Sequence, residues 1–419
     1  MTRIPPAPLL AALLLASPPA RATVPPVVVP PHHDSVSVAS PEAPLLVPGR
    51  TTLADTTPPK SRAQLAIEQY ALGREFEREG NPVAAITAYR NAVKLDPTIP
   101  QAHFRMGRLY TTVGQHAYAR DEYAAEAAHH PTNIDARRWL GLEMAQLGDT
   151  ARAIAQLEGL VRRDPKDQPS WQALGFAYST AGRKEQGEAA LRRALALDER
   201  DADAWRDLGV VLAAERRDDE ARRAYRRSIE LDPRDAGTFV DLGNLERRNQ
   251  RFDAALEQYR HATDVDSSQA LAWRGQIEVL RQTDHAVEAG QVYRRWVETE
   301  PHNTTLRVEA MEYFDGLGRP DISLELGREG VRLSPRIGET HLALGMAYHG
   351  VHDYRAALGE LRRAEALFAN PDERGRVGAL IRAMRAAAPD SLRAFFAADS
   401  AAHERPAPAD TASPPQPGH

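Results

Sequence analysis

The sequence predicts an all-α protein: a solenoid of about nine stacked helix pairs closed by a C-terminal capping helix. Three observations predict it. Short proline motifs, LDPT (95–98), RDPK (163–166), LDPR (231–234), ETEP (298–301) and LSPR (333–336), fall on one 34-residue grid. On that grid the eighth position is small: Gly73, Gly107, Gly141, Gly175, Gly209, Gly243 and Gly345. The twentieth is usually alanine (Ala85, Ala119, Ala153, Ala221, Ala255, Ala289, Ala357), and the twenty-fourth is Tyr or Leu, from Tyr89 and Tyr123 to Tyr293 and Leu361. Units starting at residue 66 run to residue 371 without insertion or deletion.

Taken in chain order, residues 1–22 read as a signal segment. Arg3 is the only charge before the apolar run Leu9–Ala16, and Ala20-Arg21-Ala22 is a small-x-small cleavage pattern. The run is shorter than the roughly 20 apolar residues a spanning helix needs, so the mature chain is expected in the periplasm or secreted, with no transmembrane segment. Residues 23–61, rich in Pro and Val, read as an extended, disordered linker.

The solenoid is assigned to 62–371. Within each unit, positions 4, 7, 8 and 11 share one face of a first helix, and positions 20, 24 and 27 share one face of a second. Small residues at 8 and 20 let the two backbones approach while Trp, Leu and Tyr fill the space around them. The closing proline cannot continue the second helix. Asn81-Pro82 reads as an N-cap followed by proline at the first helical position. Unit 7 departs with Gln276-Ile277, and unit 8 with Ser323, Gly327 and Gly330 in its second helix. Those glycines mark unit 8 either as the softest joint or as a degenerate unit with no function of its own. Residues 372–398 read as the capping helix, with 391–398 adding a turn or two, and 399–419 as a disordered tail.

Composition narrows the function. The chain has 419 residues, 42% hydrophobic and 26% charged, enough for a large core. A net charge of −5 gives no reason to expect nucleic acid as a partner. With no cysteine there is no disulfide, thiolate nucleophile or Cys-ligated metal. The sequence holds no Gly-rich phosphate loop, GxSxG or HExxH, so neither an enzyme nor a cofactor is expected. His129-His130 reads as a helix end, and His32-His33-Asp34 and His349, His352, Asp353 as solvated groups, with no metal site.

The pattern W-x-x-L-G-x-x-Y…A…Y…A…P at period 34 resembles the tetratricopeptide repeat across 66–371. The resemblance implies a right-handed superhelix whose groove, lined by the first helices, binds peptides or partner proteins. Carried onto this chain, the groove columns hold Arg74, Arg105, Arg108 and Arg138 toward the N-terminus. Units 5–7 add Arg206, Asp207, Asp241, Asn244, Arg247, Arg274, Glu278 and Arg281, and units 8–9 add Glu309, Glu312, Asp315 and Glu339. That gradient from basic to acidic would orient an extended ligand. Arg206, Asn244 and Arg274 match in part the family's grip on a peptide C-terminal carboxylate, which Glu278 opposes.

A second set, Arg192, Arg193, Arg226, Arg227, Arg260, Arg294 and Arg295, forms a track on the second helices. It reads either as a solvated wall with i,i+4 pairs (Arg226–Glu230, Arg260–Asp264, Arg294–Glu298) or as a contact for an anionic envelope surface. The chain is thus read as an exported, non-catalytic scaffold or adaptor for protein–protein or peptide binding in cell-envelope assembly. The alternatives are an accessory subunit binding envelope polysaccharide or polymer during export, and a regulatory subunit of an envelope enzyme.

Overall fold

A computed structural model describes residues 60–403. The signal segment, nearly all of the linker and the tail beyond 403 lie outside the described residues. Among the described residues there are twenty α-helices, one 3-10 turn and no strand. They form two compact units that divide after Pro233.

The first unit pairs α1 (Arg62–Arg78) with α2 (Pro82–Leu95), α3 (Ala102–Thr112) with α4 (His116–His129), and α5 (Ile134–Gln146) with α6 (Thr150–Arg163). It continues with α7 (Gln168–Thr180) and α8 (Lys184–Leu197), then α9 (Ala202–Ala214) and α10 (Asp218–Leu231). In the second unit α11 (Ala236–Arg248) pairs with α12 (Phe252–Val265), and α13 (Ala270–Gln282) with α14 (Ala286–Thr299). There follow α15 (Thr304–Gly316) with α16 (Pro320–Leu333), α17 (Gly338–Gly350) with α18 (Tyr354–Leu367), then α19 (Pro371–Ala387) and α20 (Arg393–His403). The second helix of each repeat, from α2 to α18, starts at position 17 and ends at position 30 of the grid.

Three columns explain that regularity. At position 8 a Cβ on Gly107 would lie 2.7 Å from the Tyr123 ring, and one on Gly175 would lie 2.6 Å from Leu191. The position-24 side chain already fills that space, so only glycine lets the helices close. At position 15 the chain reverses with positive φ in every repeat. Repeats 1–4 and 8 use glycine there, whereas Arg216, Gln250, Asp284 and His352 adopt φ of 59–64°. At position 4 the Nε1 groups of Trp171, Trp205 and Trp273 donate to the carbonyls of Pro165, Glu199 and Ser267 at 2.9–3.0 Å. Each bond ties a first helix to the end of the preceding repeat.

Repeat 8 is not loosened by its glycines. A Cβ on Gly327 would meet Met311 Cε at 2.7 Å, and one on Gly330 would meet Arg307 Cδ at 2.7 Å. The large and small residues have changed helices: Met311 occupies position 8 and Gly327 position 24, so the volume is filled from the other side. Repeat 7 buries Gln276, whose Nε2 donates to Tyr259 O at 3.3 Å and Thr263 Oγ1 at 3.2 Å.

At the C-terminus Val377, Ile381, Met384 and Phe396 share one core with Tyr354, Leu358 and Leu361. Asp399 accepts from Arg362 at 2.9 Å and from Arg385. Helix α20 runs to His403, past residue 399 where the tail was expected to begin. His349 is also more enclosed than expected: its Nε2 is buried, its ring meets Tyr354 edge-on at 5.5 Å, and burial lowers its pKa.

Candidate functional site

Positions 2, 5, 6, 9 and 12 of the first helices are the groove columns, and some of their side chains also touch the paired second helix, as Asn244 does Tyr259 and Arg274 does Trp296. In the second unit these columns from three consecutive repeats enclose a cavity of about 370 Å³. Asn244 and Arg247 of α11 line it, with Leu271, Arg274, Glu278 and Arg281 of α13 and Glu309 of α15. The rings of Tyr259 and Tyr293, carried on the second helices at position 24, back it.

Pairing inside the cavity leaves some charges engaged and others available. Both terminal nitrogens of Arg274 donate to the Glu309 carboxylate at 3.0 Å, and the guanidinium lies 5.4 Å from the centre of the Trp296 ring. Tyr293 OH donates to Glu309 at 2.9 Å, and burial followed by that carboxylate pushes its phenol pKa up. Asn244 Oδ1 accepts from Tyr259 OH at 2.7 Å, and Glu278 accepts from Gln282 at 2.6 Å. Arg247 and Arg281 make no ion pair among the described residues, and the Arg247 Nε is buried without a partner. Beside them Leu271 is 66% exposed. Farther along α15, burial raises the pKa values of Glu312 and Asp315.

The first-unit residues are placed differently. Arg105 donates to Tyr70 OH at 3.1 Å and to Glu77 at 2.9 Å, linking α3 to α1. Arg138 pairs with Asp135 and reaches Asp167 at 3.4 Å. Arg74 and Arg108 stand exposed without an ion pair among the described residues. Arg206 is half-buried, and Asp207 accepts from Gln172 at 3.0 Å. Burial pushes the Asp207 carboxyl up to about 6. Asp241 is half-buried on α11. Of the three clamp residues, Asn244 and Arg274 share the cavity, Arg274 already neutralised by Glu309, while Arg206 belongs to the first unit. Column reading passed over Leu271, Tyr259 and Tyr293; the alternation of Tyr and Leu at position 24 was the available signal for the hydroxyls.

Along the second helices the expected i,i+4 pairs do not form. Arg227 takes Glu230 at 2.9 Å, Arg294 crosses to Glu325 of α16 at 3.1 Å, and Arg192 takes Glu188 at 2.8 Å. Side chains lean toward the helix N-terminus, so an acid preceding an arginine by four residues is better placed than one following it. Arg193, Arg226 and Arg260 are exposed with no ion pair among the described residues, and Arg295 lies 5.9 Å from the centre of the Trp273 ring.

A family profile described as tetratricopeptide repeat matches residues 70–134, 104–168, 173–236 and 240–304, together more than half of the chain. Among curated proteins the chain is 31% identical over 113 residues to a putative cellulose synthase operon protein C of Escherichia coli O157:H7, covering 27% of this chain and 9% of that protein. It is 28% identical over 149 residues to an FK506-binding protein-like protein of Homo sapiens, covering 30% of this chain and 43% of that one. The chain thus spans less than half the length of these curated relatives. Among solved structures, a thermophilic TPR protein of Thermus thermophilus is 22% identical with a TM-score of 0.38, covering 43% of this chain and 98% of that one. Pseudomonas aeruginosa pilF is 18% identical with a TM-score of 0.40, covering 52% of this chain and 100% of that one.

Proposed function

The chain belongs to the tetratricopeptide repeat family, and on that premise we propose that it is a non-catalytic scaffold of the cell envelope that captures an extended acidic peptide of a partner protein. The observation that carries the proposal is the cavity of repeats 6–8. It offers two guanidinium groups without a carboxylate partner, Arg247 and Arg281, next to an exposed apolar side chain, Leu271. The charge of Arg274 is already answered by Glu309. Such a site takes a ligand carboxylate beside an apolar residue, and it orients the peptide because the face of α15 beyond it is acidic. Export as a periplasmic or secreted protein is part of the proposal, supported by the pattern of residues 1–22. The partial likeness to a cellulose synthase operon protein supports a second reading, an accessory role in export of an envelope polymer.

The test is crosslinked capture from a fractionated envelope, comparing wild type with Arg247→Glu/Arg281→Glu. A specific peptide or protein partner held by wild type should bind the variant about tenfold more weakly, on the order of 1.4 kcal/mol. Equal capture by both removes the cavity from the binding surface. Recovery of the chain only in the cytoplasmic fraction removes the envelope assignment.

A further inference from the structure

The ring at position 4 is covered differently from repeat to repeat. In repeat 7 Trp273 is 3% exposed; Trp296 stacks on it with centroids 6.4 Å apart, and Val292 packs in the same buried cluster. In repeats 2 and 9 the corresponding ring is His103 or His341, and Glu122 or Glu360 closes on it at 2.6 Å. Glu122, Val292 and Glu360 all occupy position 23. Repeat 4 has Ala190 there and Ala189 before it. No guanidinium or second ring lies against Trp171 among the described residues, unlike Trp273 with Arg295 and Trp296.

What results is a hollow of about 490 Å³ on the second-helix side of the first unit, between α6, α7 and α8. Trp171, Leu174, Tyr178 and Ala190 form its apolar lining. Its charged residues are Arg162, Arg193 and a single carboxylate, Glu158. That carboxylate is engaged: it accepts from Tyr178 OH at 2.7 Å and from Arg162 at 3.2 Å. Arg193 is exposed without an ion pair among the described residues.

We propose that this hollow is a docking site, separate from the groove of repeats 6–8, for an acidic segment of a partner protein that inserts an aromatic side chain against Trp171 and sets a carboxylate beside Arg193. Repeats 2, 7 and 9 cover that ring with a side chain of their own, whereas repeat 4, like repeat 5 with Ala224, has alanine at position 23. In repeat 4 the space lies open as a hollow that a side chain supplied from outside can fill. An aromatic ring gains offset stacking on the indole in addition to its buried area. Two arginines against one engaged carboxylate select acidic flanks and repel basic ones.

The experiment titrates the full chain with a fluorescein-labelled nonapeptide carrying a central phenylalanine between Asp and Glu residues, read by anisotropy. Comparison peptides carry alanine at the centre or lysine flanks. Wild type should bind the acidic phenylalanine peptide at least tenfold more tightly than either. Ala190→Val, which fills the hollow with the residue repeat 7 uses, and Arg193→Glu should each weaken binding about tenfold. Arg281→Glu in the groove should leave it unchanged. Thermal melting of Ala190→Val verifies that the fold is kept, and Arg193→Glu tests the site without altering its packing. Equal binding of the three peptides, wild-type affinity in both hollow variants, or tighter binding of a neutral oligosaccharide overturns the proposal. Loss of binding in Arg281→Glu alone also overturns it and credits the groove instead.

Discussion

Trp205 illustrates how one side chain serves two ends at the residue scale. Its ring is half-buried while its Nε1 donates to the Glu199 carbonyl at 2.9 Å. In repeats 8 and 9 the same kind of carbonyl, from Pro301 and Pro335, bonds Arg307 Nη2 at 2.9 Å and His341 Nε2 at 3.0 Å. Tryptophan, arginine and histidine can share this column because each carries a ring or guanidinium nitrogen far enough from the backbone to reach the preceding repeat. Two residues on from Trp205, Asp207 behaves differently. Its carboxyl is raised from 3.8 to about 6, chiefly by burial, with Asp203 and Asp201 adding repulsion. A carboxyl that binds its proton more tightly when folded favours folding while protonated, so that stability is present below pH 4 and is lost as pH rises through about 6. Asp207→Asn keeps an oxygen for Gln172 and removes the charge. It should raise stability at pH 7.5 by about 1–2 kcal/mol, with the gain absent at pH 4, as measured by urea unfolding at both values.

Helix pairs are held by complementary volumes, and repeat 8 reverses the complement. In repeats 1–6 and 9 glycine on the first helix faces Tyr or Leu on the second, whereas here Met311 on α15 faces Gly327 on α16. Two glycines inside a helix read locally as weakness, because sequence reasoning weighs helix propensity one helix at a time. The exchange becomes legible only when positions 8 and 24 are compared as a pair. A double-mutant cycle tests it. Met311→Gly should cost about 3–4 kcal/mol through a cavity, and Gly327→Leu about 1–3 kcal/mol through overpacking. The double variant, which rebuilds the arrangement of repeats 3, 4 and 9, should cost at least about 1 kcal/mol less than the sum. Strict additivity would mean that the two residues do not fill a common space.

At the scale of the whole molecule, each repeat is stabilised by its neighbours, so the last one needs a substitute for the neighbour it lacks. Helices α19 and α20 supply it through Val377, Ile381, Met384 and Phe396, with Asp399 bonded to Arg362 and Arg385. Phe396→Ala should cost about 3 kcal/mol locally and accelerate amide exchange in α17 and α18. Exchange in residues 60–233 should stay at wild-type rates, since nearest-neighbour stabilisation decays along the array. Acceleration throughout the chain would instead indicate a single cooperative fold.

The sequence by itself determined the period, the pairing of helices and the columns that pack, because backbone hydrogen bonding and side-chain volume repeat whenever the residue pattern repeats. The resemblance to the repeat family, rather than the periodicity, implied that Asn244, Arg247, Arg274 and Arg281 line the groove face of the first helices. Which of those charges are available was decided by the tertiary structure. Arg274 is neutralised by Glu309, 35 residues away, while Arg281 on the same helix makes no ion pair among the described residues. The hollow at Trp171 likewise depends on Ala190, 19 positions later, being too small to cover an indole. Side chains meet by reach and direction across three helices, and a one-dimensional pattern records their order without recording which of them touch.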